Sequence, residues 1–389
     1  MISYRLVQKT KVIEGIHSIR QLPKLCKEMS YRKPFLVFDQ GIAKVGIAGQ
    51  IIKLLDEAGI ESITYDKITP DPTSNLVDEG AAICKKEHCD CIVAIGGGST
   101  MDAAKGMNVM RVNEGKILDF VGKEENMHPA EGLICIPTTS GTGSELSNWI
   151  VITDLEEGSK HPINVKNSMS EYAILDPTLT LGVPAQVTAF TGLDVFSHAF
   201  EAYTSNLCNP MTDLICEKLM EDIICWLPKA VKDGSNLQAR EKMMVCASYG
   251  GFLLVDCLVH IGHCIAHEIG AQFHIPHGAA CAYAFPPMVY HIAKDRTEKI
   301  RYVGELFGVH YSGEEGAEEI AEELVKAYVA FRDETLGLRD ISSYEPDLKQ
   351  VNLEMADHIL QDPITSMTPT PVHMEDVLVM LYRIFIPQD

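Results

Sequence analysis

His263 and His267 stand four residues apart in Gly262-His263-Cys264-Ile265-Ala266-His267-Glu268-Ile269-Gly270, and Asp194 and His198 repeat that spacing upstream. On a helix, residues i and i+4 lie one turn apart on the same face, so each pair presents two donors together. Gly270 and Pro276 are expected to break the second helix and let the chain double back, which brings the loop residue His277 beside the pairs. Imidazole and carboxylate donors in this arrangement suit a divalent first-row cation. A lone helix histidine usually only packs or caps. Five candidate donors in two short segments point instead to a metal.

Two polar loops suggest a second kind of chemistry. The apolar run Cys91-Ile92-Val93-Ala94-Ile95 leads straight into Gly96-Gly97-Gly98-Ser99-Thr100-Met101-Asp102-Ala103-Ala104-Lys105. Glycines let a backbone approach a ligand closely, Ser99 or Thr100 can cap the helix that follows, and a helix N-terminus offers free amides to a pyrophosphate. This is not the GxGxxG fingerprint, because Met101 holds the place of its third glycine, and no GK[ST] follows. The ordinary Rossmann unit places an acid about twenty residues after its glycines. Here the best strand-end acid, Asp39, precedes them. The second loop, Pro137-Thr138-Thr139-Ser140-Gly141-Thr142-Gly143-Ser144-Glu145, supplies five hydroxyls that suit a sugar or phosphate rim, more than a solvated loop with local turns requires.

The elements that must carry these residues fall into two textures. Short apolar runs at residues 34–38, 62–65, 91–95 and 133–136 alternate with helical patterns at 51–58 and 75–87, with further strands expected at 149–153, 163–165 and 173–175. Strands separated by such helices predict βαβ units and a doubly wound parallel sheet, a Rossmann-like α/β domain. From Pro184 the strands stop and helical patterns take over, at 186–204, 212–226, 240–257, 259–270, 278–291 and 314–335. The expected division is therefore an α/β domain over residues 1–182 and an all-helical domain over 183–389. The acidic patch at residues 314–323 reads as a solvated helix face.

Composition narrows the partners. With 33 basic and 54 acidic residues in 389, the formal charge of −21 argues against nucleic acid or an anionic membrane. It leaves room for an anionic cofactor held by backbone amides. A hydrophobic fraction of 46% with mean hydropathy near zero describes a globular chain, and no uninterrupted apolar span is visible. The first residues show no basic region leading into an apolar run, so a cytoplasmic location is expected. The 12 cysteines form no paired CxxC sets and read as reduced, mostly buried thiols.

Together these motifs resemble the iron-containing (group III) alcohol dehydrogenase family of the dehydroquinate synthase-like superfamily. The residues that carry the resemblance are Gly96 to Ser99 with Asp102 and Lys105, Pro137 to Glu145, Gly192-Leu193-Asp194 through His198 to Tyr203, and His263 to Gly278. They run in order over about residues 34–290. The resemblance implies an N-terminal dinucleotide-binding domain and a helical C-terminal domain. It implies Asp194, His198, His263 and His277 as ligands of Fe2+ or Zn2+, and leaves His267 outside them as a catalytic group near the nicotinamide and substrate. It implies cofactor contacts from Gly97, Gly98, Ser99, Asp102, Thr138, Thr139 and Thr142, with Lys160 toward the nicotinamide ribose and Asp39 toward the adenine ribose. A carboxylate at that last position accepts from a 2′-hydroxyl and repels a 2′-phosphate, so NAD(H) is expected over NADP(H).

The implied activity is hydride transfer between a small alcohol or aldehyde and nicotinamide, in a homodimer or larger homo-oligomer. Glycerol or diol dehydrogenases and lactaldehyde reductases of the same superfamily are the near alternatives, although glycerol dehydrogenases and dehydroquinate synthase use three protein ligands and His198 supplies a fourth. A metallohydrolase is the rival from another class. HExxH is absent, because Glu268 follows the second histidine of its pair, and the phosphate-cradling loops would then have no role. Three departures from the family pattern concern substrate preference and C-terminal packing. Met367-Thr368-Pro369-Thr370-Pro371 replaces an Asn-Pro-Arg element, Glu268 stands where proline is common, and a single Gly15 replaces an early glycine pair. Trp149, Phe252 and the stretch near Met367 are candidates to line the substrate pocket.

Overall fold

The computed structural model describes residues 6–156 and 158–386, and the chain forms two compact units that divide between Gly182 and Val183. In the first unit, strands β1 (Lys11–Glu14), β2 (Pro34–Asp39), β3 (Ile63–Ile68), β4 (Cys91–Gly96), β5 (Leu133–Pro137) and β8 (Tyr172–Leu175) form one sheet in the order β1-β8-β5-β4-β2-β3. Every pairing in it is parallel. Strands β4 and β5 are buried throughout, as a parallel sheet covered on both faces requires. Alternate residues serve opposite cores. Phe35, Val37, Ile92, Ala94, Leu133 and Cys135 face one core, with α4 (Ser74–Lys86) and α5 (Gly98–Val112). Leu36, Phe38, Val93, Ile95, Ile134 and Ile136 face the other, with α1 (Leu22–Glu28) and α3 (Ile47–Glu57).

The sheet has its topological switch between β2 and β4. The chain leaves β2 toward β3 on one side and leaves β4 toward β5 on the other. Ligands of open α/β sheets bind beyond the carboxyl ends of the strands at such a switch. Asp39 ends β2 and Gly96 ends β4, each two residues past the paired positions Val37 and Ala94. The acid and the glycine loop are thus neighbours in space although their order along the chain is reversed.

The runs near 149–153 and 163–165 are strands as expected, and β6 (Trp149–Asp154) and β7 (Ser159–Asn164) pair with each other as an antiparallel hairpin separate from the main sheet. Lys160 lies within β7, opposite Thr153. The parallel edge is completed instead by β1, a four-residue strand with charged ends and a mostly exposed surface, which carries no apolar run to betray it.

The second unit is helical: α6 (Ala185–Thr204), α7 (Pro210–Lys232), α8 (Leu237–Asp256), α9 (Ile261–Phe273), α10 (His277–Ile292), α11 (Thr297–Leu306), α12 (Ala317–Ala330), α13 (Leu353–Gln361) and α14 (Met374–Phe385). Helix α6 is central, buried on nearly every side from Gly192 to Thr204. Gly270 does not end α9. That helix runs to Phe273 and stops where His274 takes a left-handed backbone, φ 54°. Nor is His277 a loop residue; it opens α10, behind Pro276. Helix α12 begins only at Ala317, and Glu315 is not on its face: its carboxylate accepts from the backbone of Ser312 and Gly313.

Close helix approach depends on small residues. A Cβ added to Gly278 would lie 2.2 Å from the carbonyl oxygen of Phe190 and 3.1 Å from Asp194 Cβ, so α10 rests directly on the backbone of α6. An extra methyl against backbone has nowhere to go. Gly278→Ala is expected to cost about 1–3 kcal/mol and lower the thermal midpoint. Gly49→Ala, on the exposed side of α3 with nothing within 4 Å, should be neutral or slightly stabilising. Thermal melts of the two variants beside the parent test the packing.

Candidate metal centre and nucleotide site

Four of the five sequence-selected donors converge on one oxygen. Asp194 Oδ1 lies 3.6 Å from His198 Nε2, 3.6 Å from His263 Nε2 and 3.5 Å from His277 Nε2. These separations are too long for hydrogen bonds. They match the edge of a tetrahedron around an ion with bonds of ~2.0–2.2 Å, which is about 3.4 Å. Asp194 Oδ1 and His263 Nε2 are buried with no hydrogen-bond partner. A buried acceptor left unpaired costs about 1–3 kcal/mol, and a cation removes that cost. The residues present therefore fit a divalent ion.

Each helix sets its donors by spacing. Asp194 and His198 are one turn apart on α6, and the His198 and His263 rings stack at 4.9 Å between centroids. Burial of His198 disfavours its charged form, and although Asp194 opposes this, the imidazole titrates near about 4. At neutral pH the ring is uncharged. Burial works against the Asp194 carboxylate too, but His198 and His277 outweigh it and hold the group well below the usual range.

Glu201 gained no role from the sequence, yet it holds the centre together. Its Oε1 is 2.5 Å from His263 Nδ1, which fixes the ring so that Nε2 turns toward Asp194. Its Oε2 accepts from the backbone N–H of His260 at 2.7 Å and of His263 at 3.2 Å, satisfying amides at the start of α9. Gly262 makes room for it, since a Cβ there would lie 2.8 Å from Glu201 Oε1. Carboxylate–histidine–metal chains of this kind orient the ligand and raise its basicity. The signal was available: Glu201 follows His198 by three residues and Asp194 by seven, which puts the three on one face of α6.

His267 stands apart from the donor group. Its Nδ1 lies 3.2 Å from Asp362 Oδ2, and its ring stacks on His277 with centroids 5.5 Å apart. Both rings are partly open, with side chains 41% exposed, while His198 and His263 are buried. Asp362 has no sequence signal, lying far downstream in the turn after α13. It lines a cleft together with Asn206, Thr368, Pro369 and Thr370, so the departure near Met367 borders the partner of His267. Cys281 is the other unpredicted neighbour; its Sγ is 3.7 Å from His277 Nε2.

The residues that the sequence assigns to a nucleotide lie in the first unit. Gly97, not Ser99 or Thr100, occupies the cap position of α5, and no side chain caps that helix. The first-turn amides, which have no partner within the helix, remain available to an anion. The threonine loop abuts them: Cβ atoms added to Gly97 and Gly98 would meet Thr139 Oγ1 at 3.1 Å and Thr142 Cγ2 at 2.7 Å. Thr138 is buried and its N–H donates to Gly96 O, tying the loops together. Asp39 uses Oδ1 to cap the short helix at Gln40–Lys44 through Ile42 N–H.

Three charged residues are otherwise engaged. Asp102 accepts from Ser144 Oγ at 2.7 Å and from Val151 N–H at 3.0 Å, so both its oxygens brace α5 against the loop and the hairpin. Lys105, fully buried, donates to Ser144 Oγ and Trp149 O. Lys160 Nζ lies 2.6 Å from Asp71.

A parallel doubly wound domain and a helical domain with a three-histidine, one-carboxylate centre describe a metal-dependent oxidoreductase. Residues 9–177 match the family described as "Iron-containing alcohol dehydrogenase", and residues 188–385 match "Fe-containing alcohol dehydrogenase family, C-terminal". The chain is 35% identical to a choline dehydrogenase of Bacillus subtilis, over 78% of this chain and 76% of that one. It is 31% identical to an NAD-dependent methanol dehydrogenase of Bacillus methanolicus, over 93% and 95% of the two. A solved 1,3-propanediol oxidoreductase superposes with a TM-score of 0.92 at 30% identity, covering 99% of this chain and 100% of the other. The chain belongs to the iron-containing alcohol dehydrogenase family, and it is a nicotinamide-dependent enzyme of that class.

Because Glu201 orients His263 and secures the start of α9, Glu201→Gln is expected to keep the fold and weaken metal binding about 10- to 100-fold. Chelator competition measures the affinity, and circular dichroism checks the fold.

Proposed function

We propose that this enzyme interconverts a small alcohol and its aldehyde, with NAD(H) as the preferred cofactor and a divalent ion held by Asp194, His198, His263 and His277. The observation that carries this reading is the convergence of three imidazole nitrogens, at 3.5–3.6 Å, on one unpaired buried carboxylate oxygen. A divalent ion there supplies Lewis acidity to the substrate oxygen, and Fe2+ and Zn2+ both suit N/O donors. Three imidazoles and one carboxylate suit such an ion, whose Lewis acidity favours the alkoxide over the alcohol. Glu201 keeps His263 oriented through the reaction.

His267 handles the proton. Asp362 accepts from its Nδ1–H, which makes Nε2 the basic nitrogen, and the partly exposed ring has a route to solvent. The free amides at Gly98 to Thr100 receive the pyrophosphate, with Thr139 and Thr142 as rim. Asp39, at the switch point of the sheet, receives the adenine ribose. Its negative charge disfavours a 2′-phosphate.

The choline, methanol and propanediol relatives share a reaction class while their alcohols differ, so the substrate here is assigned only as a small primary alcohol or diol. Among the described residues no single helix is long and apolar enough to cross a membrane. All 12 cysteines are free and ten of them are buried, which suits a reducing compartment such as the cytoplasm.

Two outcomes test the reading. His263→Ala should lose its bound metal and activity, while His267→Ala should keep metal and lose rate with an altered pH profile; metal loss in both would return His267 to the ligands. Asp39→Gly should raise kcat/KM for NADPH relative to NADH by roughly tenfold or more, about 1.4 kcal/mol. Nicotinamide absorbance with added Fe2+ or Zn2+ and a panel of alcohols and aldehydes reads both. No turnover of any member with either cofactor would contradict the proposal.

A further inference from the structure

Cys281 lies one helical turn after His277 on α10, buried to 2% exposure. The donor atoms of Asp194, His263, His277 and Cys281 all lie within 4.8 Å of one another. Two of these atoms, Asp194 Oδ1 and His263 Nε2, are buried and unpartnered. The sulfur is 3.7 Å from His277 Nε2. An ion with a bond of ~2.3 Å to sulfur and ~2.1 Å to nitrogen holds two neighbouring ligand atoms roughly 3.1–3.6 Å apart, close to this separation, and such sites expand to five-coordinate.

We infer that Cys281 is a direct sulfur ligand of the same cation, in addition to the nitrogen and oxygen donors. This inference rests on the metal reading above and deepens it. Other members of the donor set can hold the ion without sulfur, so Cys281 tunes the site and does not create it. On binding, the thiol gives its proton to water and the thiolate lone pair goes to the ion; no electron is transferred. A thiolate next to Asp194 cancels the charge of a divalent ion, which softens the centre. Soft donors favour Zn2+ or Co2+ over Fe2+. The i, i+4 placement of Cys281 after His277 also means that α10 supplies two ligands from one face, as α6 does with Asp194 and His198.

The test is X-ray absorption on the purified full-length protein reconstituted with zinc alone. The expected shell contains one sulfur at about 2.3 Å beside nitrogen and oxygen. In Cys281→Ser the sulfur contribution should vanish while one zinc per chain remains. In the cobalt-loaded protein, the near-ultraviolet sulfur-to-metal charge-transfer band should be lost in the same variant. A zinc shell of nitrogen and oxygen only in the parent protein would overturn the sulfur ligand and leave the metal centre standing. Sulfur that persists in Cys281→Ser would come from another cysteine and would also overturn it. Failure of the parent to bind zinc, cobalt or iron would overturn both this inference and the metal reading.

Discussion

The structure turns on a buried carboxylate oxygen that no hydrogen bond satisfies. Asp194 Oδ1 sits in the interior of a helical unit, ringed by three imidazole nitrogens at distances too great for hydrogen bonding and right for ligands of a shared ion. Hydrophobic burial alone would never select this arrangement, because an unpaired buried charge is costly. The surrounding architecture maintains it. Glu201 locks His263, Gly278 lets α10 touch the backbone of α6, and Gly262 leaves space for the Glu201 carboxylate. Each is a local concession of packing or electrostatics that keeps these donors together.

The nucleotide side solves a different electrostatic problem. A chain of net charge −21 must hold an anionic cofactor, yet Lys105 and Lys160 are committed to Ser144, Trp149 and Asp71. What the chain offers here is backbone: an uncapped 15-residue helix with its first-turn amides open, preceded by glycines that carry no Cβ. The same economy explains Asp102. Its two oxygens accept from Ser144 and from Val151 N–H, which sets the loop and the hairpin against α5.

Much of this was legible in the chain because periodicity and spacing report local geometry. The i, i+4 donor pairs and the run from β4 into Gly96 to Ser99 are short-range patterns, and the structure keeps them on the elements expected. What escaped notice depends on tertiary contact or lacks an apolar signature. Edge strand β1 is mostly exposed, Asp362 reaches His267 across 95 positions of sequence, and the hairpin β6–β7 could be separated from the main sheet only by its pairing. Glycine misled at position 270, where α9 simply continues and His274 supplies the left-handed stop. Glu201 and Cys281 were within reach, each one turn from a proposed ligand on the same helix face.

The claim that unifies these observations is that Asp194 and its three histidines surround one ion. Anomalous diffraction at the iron and zinc edges, from crystals grown with each metal, tests it most directly. The account predicts a single strong peak per chain within about 2.0–2.3 Å of Asp194 Oδ1 and of the Nε2 atoms of His198, His263 and His277. A fully folded protein with no peak at that point, or with its peak elsewhere, would contradict it.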